Sequence, residues 1–163
     1  NFLPVDLPGL IESVLFEFAN QAESKTIKLK CIKPPVALPK VLADPIKLSM
    51  VIENLIDNAM KYTPQGGQVT VSVGDARMNS AQSNLEVIIS DTGIGIPPVE
   101  RDKTFHRFFR GSNATKVQTD GTGLGLFISR DIVEKHGGAI WFESAVGQGA
   151  QFHFTIPTHR LSS

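Results

Sequence analysis

Apolar residues recur at helical spacing near the start of the chain. Leu7, Leu10, Ile11, Val14, Leu15 and Phe18 fall on one stripe, with Asp6 placed to cap it and Pro8 in its first turn. The period then drops to two. Ile27, Leu29 and Cys31 alternate with Lys28 and Lys30, which predicts a half-buried strand, and after a loop marked by Pro34, Pro35 and Pro39 the pair Val41-Leu42 predicts a very short one. Asp44-Pro45 is a strong helix start, a capping carboxylate followed by proline at the first helical position. Leu48, Val51, Ile52, Leu55 and Ala59 give this second helix its buried stripe, and it ends before Pro64. Val69, Val71 and Val73 alternate with Thr70 and Ser72 as a strand. Gly74 to Asn84 is polar, as in a hairpin loop, and Leu85 to Ser90 is apolar enough to be a central strand.

From Asp91 the pattern breaks. Asp91 to Pro98 is rich in glycine and proline, and Phe105, Phe108 and Phe109 predict a short helical piece. Gly111 to Thr122 is polar and aperiodic, which predicts a mobile surface loop. Leu124 to Lys135 reads as a helix closed by Gly137-Gly138. Two strands follow, Ala139 to Glu143 and Gln151 to Ile156, joined by a turn with Gly147 and Gly149. Three main helices and about five substantial strands, the last ones adjacent in sequence, predict an α+β fold: helices on one face of a mixed, mostly antiparallel sheet.

Composition narrows the class. The 163 residues fit one domain, 1–163, and the balance of 41% hydrophobic and 20% charged residues excludes a disordered tail, a collagen-like repeat and a coiled coil. Lys+Arg and Asp+Glu number 16 each, so no charge excess points to nucleic acid. The single cysteine, Cys31, excludes an internal disulfide framework and a cysteine-rich zinc site, and makes a reducing, cytoplasmic setting the default. No apolar run reaches the ~18 residues of a membrane span, so no direct membrane contact is expected. The chain opens on Asn1, as expected of a piece of something longer.

Three segments carry candidate chemistry. Asn54, Asn58 and Lys61 lie at i, i+4 and i+7 on the second helix, so two carboxamides and a cation share one face. Amide oxygens suit a hard cation and a lysine suits phosphate, although the stripe alone also fits a solvated helix face. Asp91-Thr92-Gly93-Ile94-Gly95-Ile96-Pro97 follows a buried strand. A carboxylate there can accept from an amino group and the glycines admit a flat ligand, or the segment is a plain turn. Gly121-Thr122-Gly123-Leu124-Gly125-Leu126 opens a helix, where backbone N–H groups and the helix dipole favour an anion; a flexible hinge is the other reading. Its glycine spacing matches neither a Walker loop nor a dinucleotide fingerprint.

Taken in order, these segments resemble the catalytic and ATP-binding domain of two-component sensor histidine kinases, within the superfamily that includes gyrase, heat-shock chaperone and mismatch-repair ATPases. The resemblance rests on Asn54 to Pro64, Asp91 to Pro97, Phe105 to Arg110 and Gly121 to Leu126, with His136-Gly137-Gly138 and the closing strands, and covers nearly the whole chain. It implies a two-layer Bergerat-type ATP-binding fold with about three helices on one face of a five-stranded sheet, a lid at about 107–122, and ATP and Mg²⁺ as cofactors.

By the same resemblance, Asn58 would ligate Mg²⁺, with Asn54 beside it near the phosphates and Lys61 meeting phosphate. Tyr62 would pack near the adenine or ribose, Asp91 would accept the adenine amine, and Gly93, Gly95 and Ile96 would line the base pocket. Phe105 and Phe108 would anchor the lid, Arg110 would reach the terminal phosphates, and Gly121, Thr122, Gly123, Leu124, Gly125 and Leu126 would form its phosphate-binding hinge. The activity implied is transfer of the γ-phosphate of ATP to a histidine on a companion dimerisation domain, then to an aspartate of a response-regulator receiver domain. The isolated domain would be a monomer and the parent kinase a homodimer. None of His106, His136, His153 and His159 has an acidic follower in a helical hairpin, so the acceptor and dimerisation domain is expected upstream, outside this chain. Clamp-type ATPases and serine-kinase relatives of the same fold are the alternative. The former resemble this chain but carry a glutamate where Asn54 stands, and an amide cannot act as a base.

Overall fold

The computed structural model describes residues 1–76, 83–106, 109 and 124–158. Strand β1 (Leu3–Val5) leads into helix α1 (Leu7–Ser24), followed by β2 (Lys28–Ile32), β3 (Val41–Ala43), helix α2 (Pro45–Tyr62), β4 (Gln68–Ala76) and β5 (Asn84–Asp91). A 3₁₀ helix (Pro98–Lys103), helix α3 (Gly125–Lys135), β6 (Ile140–Ser144) and β7 (Ala150–Pro157) complete the order. The main sheet runs β2-β4-β5-β7-β6; β2 joins β4 in parallel at one edge and every other pair is antiparallel. Strands β1 and β3 form a separate antiparallel pair.

The helices lie on one face. α1 packs over β2 and β4, α2 over β4 and β5, and α3 over β6 and β7. Alternation puts Val69 and Val71, Leu85, Val87 and Ile89, and Phe152, Phe154 and Ile156 toward the helices, where Leu48, Ile52, Leu55, Ile56 and Met60 of α2 meet them, all buried. Each such side chain stabilises the fold by about 1.5–3 kcal/mol through transfer alone. The apolar-rich strand β5 sits mid-sheet, as expected, with alternate residues buried.

The two expected caps differ. The Asp44 carboxylate accepts from the N–H groups of Ile46 and Lys47, both at 3.1 Å. Asp6 occupies the same position before α1, but its carboxylate makes no cap hydrogen bond. Proline explains part of this. Pro45 is the first residue of α2 and leaves the next two donors free, whereas Pro8 is the second residue of α1 and removes one of the two donors a cap uses.

Three further differences from the sequence expectations follow. The β4–β5 loop is shorter than Gly74 to Asn84, because Ala76 pairs with Asn84 and both strands run on. A 3₁₀ helix that the sequence did not suggest forms at Pro98–Lys103, with Phe105 in the turn that follows it, while Phe108 of the helical piece expected over Phe105, Phe108 and Phe109 lies outside the described residues. Strand β1 was not anticipated: three residues including a proline show no period.

The C-terminal end of α2 is fixed from outside the helix. The Lys25 ammonium donates to the carbonyls of Met60 (2.5 Å), Thr63 (3.2 Å) and Lys61 (3.5 Å), and the Thr63 hydroxyl donates to Ala59 O (2.6 Å). A cation at a helix C-terminus satisfies carbonyls that have no partner within the helix.

Candidate functional site

Two of the candidate segments close on α2, which carries the third. The loop after β5 is tied to its end, where Ile94 N–H donates to Tyr62 O at 3.2 Å. The start of α3 is tied further back, where the Asn54 amide nitrogen donates to Gly125 O and to the Ser129 hydroxyl, both at 3.3 Å. Asn54, Asn58, Lys61, Tyr62, Asp91, Leu124, Gly125 and Leu126 are thereby gathered around the second half of one helix.

Asp91 ends β5 and is half-buried. Its Oδ1 accepts from Gly93 N–H at 2.8 Å and from Ala150 N–H at 3.2 Å. Burial pushes its carboxyl above the usual carboxylate range, and those two donors pull it back. One oxygen is thus held by backbone, and the arrangement orients the other as an acceptor.

The glycines of this loop answer to close backbone approaches. A Cβ on Gly93 would stand 2.5 Å from Tyr62 O and 2.7 Å from Asp91 Oδ1. Gly95 has φ +75°, and a Cβ there would collide with Ala145 O. Ile96, half-buried against the core, donates its N–H to the Ser144 hydroxyl at 2.8 Å.

On α2, Asn58 is half-buried, and the Lys61 ammonium lies 2.8 Å from the Asp57 carboxylate, both partners about a third exposed. An exposed pair of this kind is worth little. Phe105 packs on Phe142 (ring centroids 5.9 Å) and Phe152 (6.1 Å), which stack on each other at 5.3 Å. Arg101 lies over the Phe142 ring at 5.7 Å and donates to Ser144 O at 3.2 Å. Phe108, Arg110, Gly121, Thr122, Gly123, His159 and all of the lid at 107–122 except Phe109 lie outside the described residues.

Sequence reading missed three contributors. Ser129 sits four residues after Gly125 on the face of α3 turned to Asn54, and is fully buried; only that spacing signals it. Lys25 and Ser144 belong to no periodic pattern and act through backbone atoms remote in sequence. His136 and His153 are structural. His136 Nε2 accepts from Asp44 N–H at 3.1 Å while Nδ1 faces Ile132 O at 2.8 Å. His153 pairs with Glu86 at 3.0 Å and stacks on Trp141.

Among the described residues no group of three or more His, Cys, Asp or Glu side chains could hold a metal ion, and no helix is long and apolar enough to cross a membrane. A carboxylate at a strand end, amides on the neighbouring helix and the start of α3 beside them make up the candidate site. The profile of the histidine kinase-, DNA gyrase B- and HSP90-like ATPases matches residues 43–160, and the chain belongs to that family.

Within it, the chain is 40% identical over 155 residues to the adaptive-response sensory kinase SasA of Synechococcus sp. (strain JA-2-3B'a(2-13)), covering 95% of this chain and 39% of the relative. The chain thus spans about two-fifths of the length of such curated relatives. The mycobacterial sensor histidine kinase MprB is 31% identical with a TM-score of 0.78, covering 99% of this chain and 100% of that one. The histidine kinase ThkA, solved in complex with the response regulator protein TrrA, is 28% identical with a TM-score of 0.76, covering 97% of this chain and 42% of that one.

Proposed function

We propose that this chain is the catalytic domain of a two-component sensor kinase: it binds ATP with Mg²⁺ and passes the γ-phosphoryl group to a histidine of a companion dimerisation domain, for relay to a response-regulator aspartate. The observation that carries the reading is Asp91, whose Oδ1 is fixed by two backbone N–H groups, so that the carboxylate is oriented to take the adenine amine. Gly93, Gly95, Ile96 and Tyr62 surround that position, and Phe105 with Phe108 secures the stem of the lid. Asn54 supports the other end by holding the N-terminus of α3, and the segment Gly121, Thr122, Gly123, Leu124, Gly125 and Leu126 is the phosphate-binding hinge of this reading.

The donor set suits Mg²⁺. One neutral amide oxygen from Asn58, phosphate oxygens and water match a small hard cation that keeps several waters. When bound, Mg²⁺ compensates charge on the β- and γ-phosphates. Lys61 and Arg110 add positive charge at the same end, and phosphoryl transfer needs this positioning and charge more than covalent help. The likeness to ThkA, solved in complex with a response regulator, supports the kind of partner, and the single cysteine fits a cytoplasmic setting for this domain. His136 and His153 are engaged in the fold, which supports an acceptor on a companion domain. An ATPase reading lacks a base, since position 54 is an amide.

The test mixes radiolabelled ATP with this chain, with and without a histidine-bearing companion domain. The expected result is acid-labile label on the companion alone, abolished by Asn58→Ala. Strong labelling of the isolated chain, or undiminished transfer by Asn58→Ala, would overturn the reading.

A further inference from the structure

We infer that Ser144, which belongs to none of the nucleotide motifs, is a positioning residue for the adenine end of the site, a proposal that rests on the ATP-binding reading above. Ser144 ends β6 and is half-buried. Its hydroxyl donates to Gly149 O at 2.7 Å and accepts from Ile96 N–H at 2.8 Å. Its carbonyl takes the Arg101 guanidinium at 3.2 Å. One residue therefore links the base loop, the β6–β7 turn and the 3₁₀ helix that leads toward the lid.

The turn acts as a brace behind the loop. Gly147 N–H donates to Ile94 O at 2.8 Å, and Ala150 N–H reaches Asp91 Oδ1 at 3.2 Å. Gly95 and Gly149 allow the approach, since a Cβ on either would collide with a carbonyl oxygen of the other segment. Removing the Ser144 hydroxyl takes the acceptor from Ile96 N–H at one end of the loop and leaves Gly149 O, next to Ala150, only the 3.4 Å bond from Ala145 N–H at the other, so the wall beside the base and the donor that fixes Asp91 both loosen. The phosphate end is held separately through Asn54 and α3.

The experiment measures Mg-ADP and Mg-GDP affinity of the whole chain by calorimetry and competition for the wild type, Ser144→Ala and Ser144→Thr, with melting curves alongside. Ser144→Ala is expected to weaken ADP roughly 3- to 30-fold, the reach of one to two neutral hydrogen bonds, while GDP changes little, so base preference narrows. Ser144→Thr keeps the hydroxyl and stays within about twofold of wild type. If Ser144→Ala does not fold, Ser144→Cys, a weak donor and acceptor of similar size, makes the same comparison. Unchanged ADP affinity, equal weakening of ADP and GDP, or a threonine variant as impaired as alanine would overturn the inference. A wild-type chain that binds no ADP would instead overturn the proposed function itself.

Discussion

Replacing Asp91 by Asn separates binding from stability. Both backbone donors point at Oδ1, at 2.8 and 3.2 Å, and an amide oxygen can keep them. At the other position an acceptor becomes an NH₂ donor, which in the proposed nucleotide pose faces the amine of adenine. The loss is that of a charge-assisted hydrogen bond, about 1.5–3 kcal/mol, or roughly 10- to 150-fold in ATP affinity. Stability moves the other way. Burial raises the Asp91 carboxyl above its unfolded value, so the native state favours the protonated form, and the ionised form at neutral pH costs the fold. Stability associated with this group is therefore present at low pH and lost as pH rises through the raised pKa, and Asp91→Asn is expected to melt no lower than wild type at pH 7. Binding has the opposite sign, because the amine needs the carboxylate: wild-type affinity falls as pH drops through the same raised pKa. Calorimetry across a pH series reads both effects, with the asparagine variant as control for ionisation of the nucleotide. The reasoning is refuted if Asp91→Asn binds ATP as wild type does, or if its melting temperature falls in step with its affinity.

Lys25→Met removes the cation that gathers three carbonyls at the end of α2, and is expected to lower the unfolding free energy by about 1.5–3 kcal/mol in urea titrations, with some loss of ATP affinity through Tyr62. Cys31, whose thiol is pushed up first by burial and then by Glu12, is expected to react with a maleimide more slowly at pH 7 than a free peptide thiol, and faster once the chain is unfolded.

The layers of this fold were legible because they rest on periodicity. The stripe from Leu48 to Ala59 and the alternation from Val69 to Val73 each dictate which face is buried, and the structure buries those faces. The candidate segments were legible because glycine has few reasons to cluster after a buried strand or before a helix. What could not be read is the set of bonds that hold those segments in place. Lys25, Ser129 and Ser144 act across separations of about 35 to 75 residues, mostly through backbone atoms, and no local pattern encodes such a pairing. The missing cap of Asp6 is legible only in part and only once the helix start is known, because one residue's shift in the position of proline decides whether one of the two cap donors exists.

Asn54 shows how one atom divides the chemistry of this fold. A glutamate at this position, as the resemblance to clamp-type ATPases would have it, could take a proton; an amide cannot, but it can donate, and here its nitrogen holds Gly125 O and the Ser129 hydroxyl at 3.3 Å each. Asn54→Asp gives an acceptor-only side chain of the same shape, now facing a carbonyl. The bond to Gly125 O is lost, at about 0.5–1.5 kcal/mol, and that carbonyl then faces a carboxylate, whereas the Ser129 hydroxyl can turn to donate, and attraction of the new carboxylate to the N-terminus of α3 returns about 0.3–1 kcal/mol. The balance is destabilising, and the effect should concentrate at the start of α3. Hydrogen exchange is expected to quicken in the first turn of α3, with strands β4 and β5 unchanged, and ATP affinity to fall further than adenosine affinity because a fixed anion now stands beside the phosphates. Unchanged protection in α3, or equal losses for ATP and adenosine, would show that Asn54 does not set the phosphate end of the site.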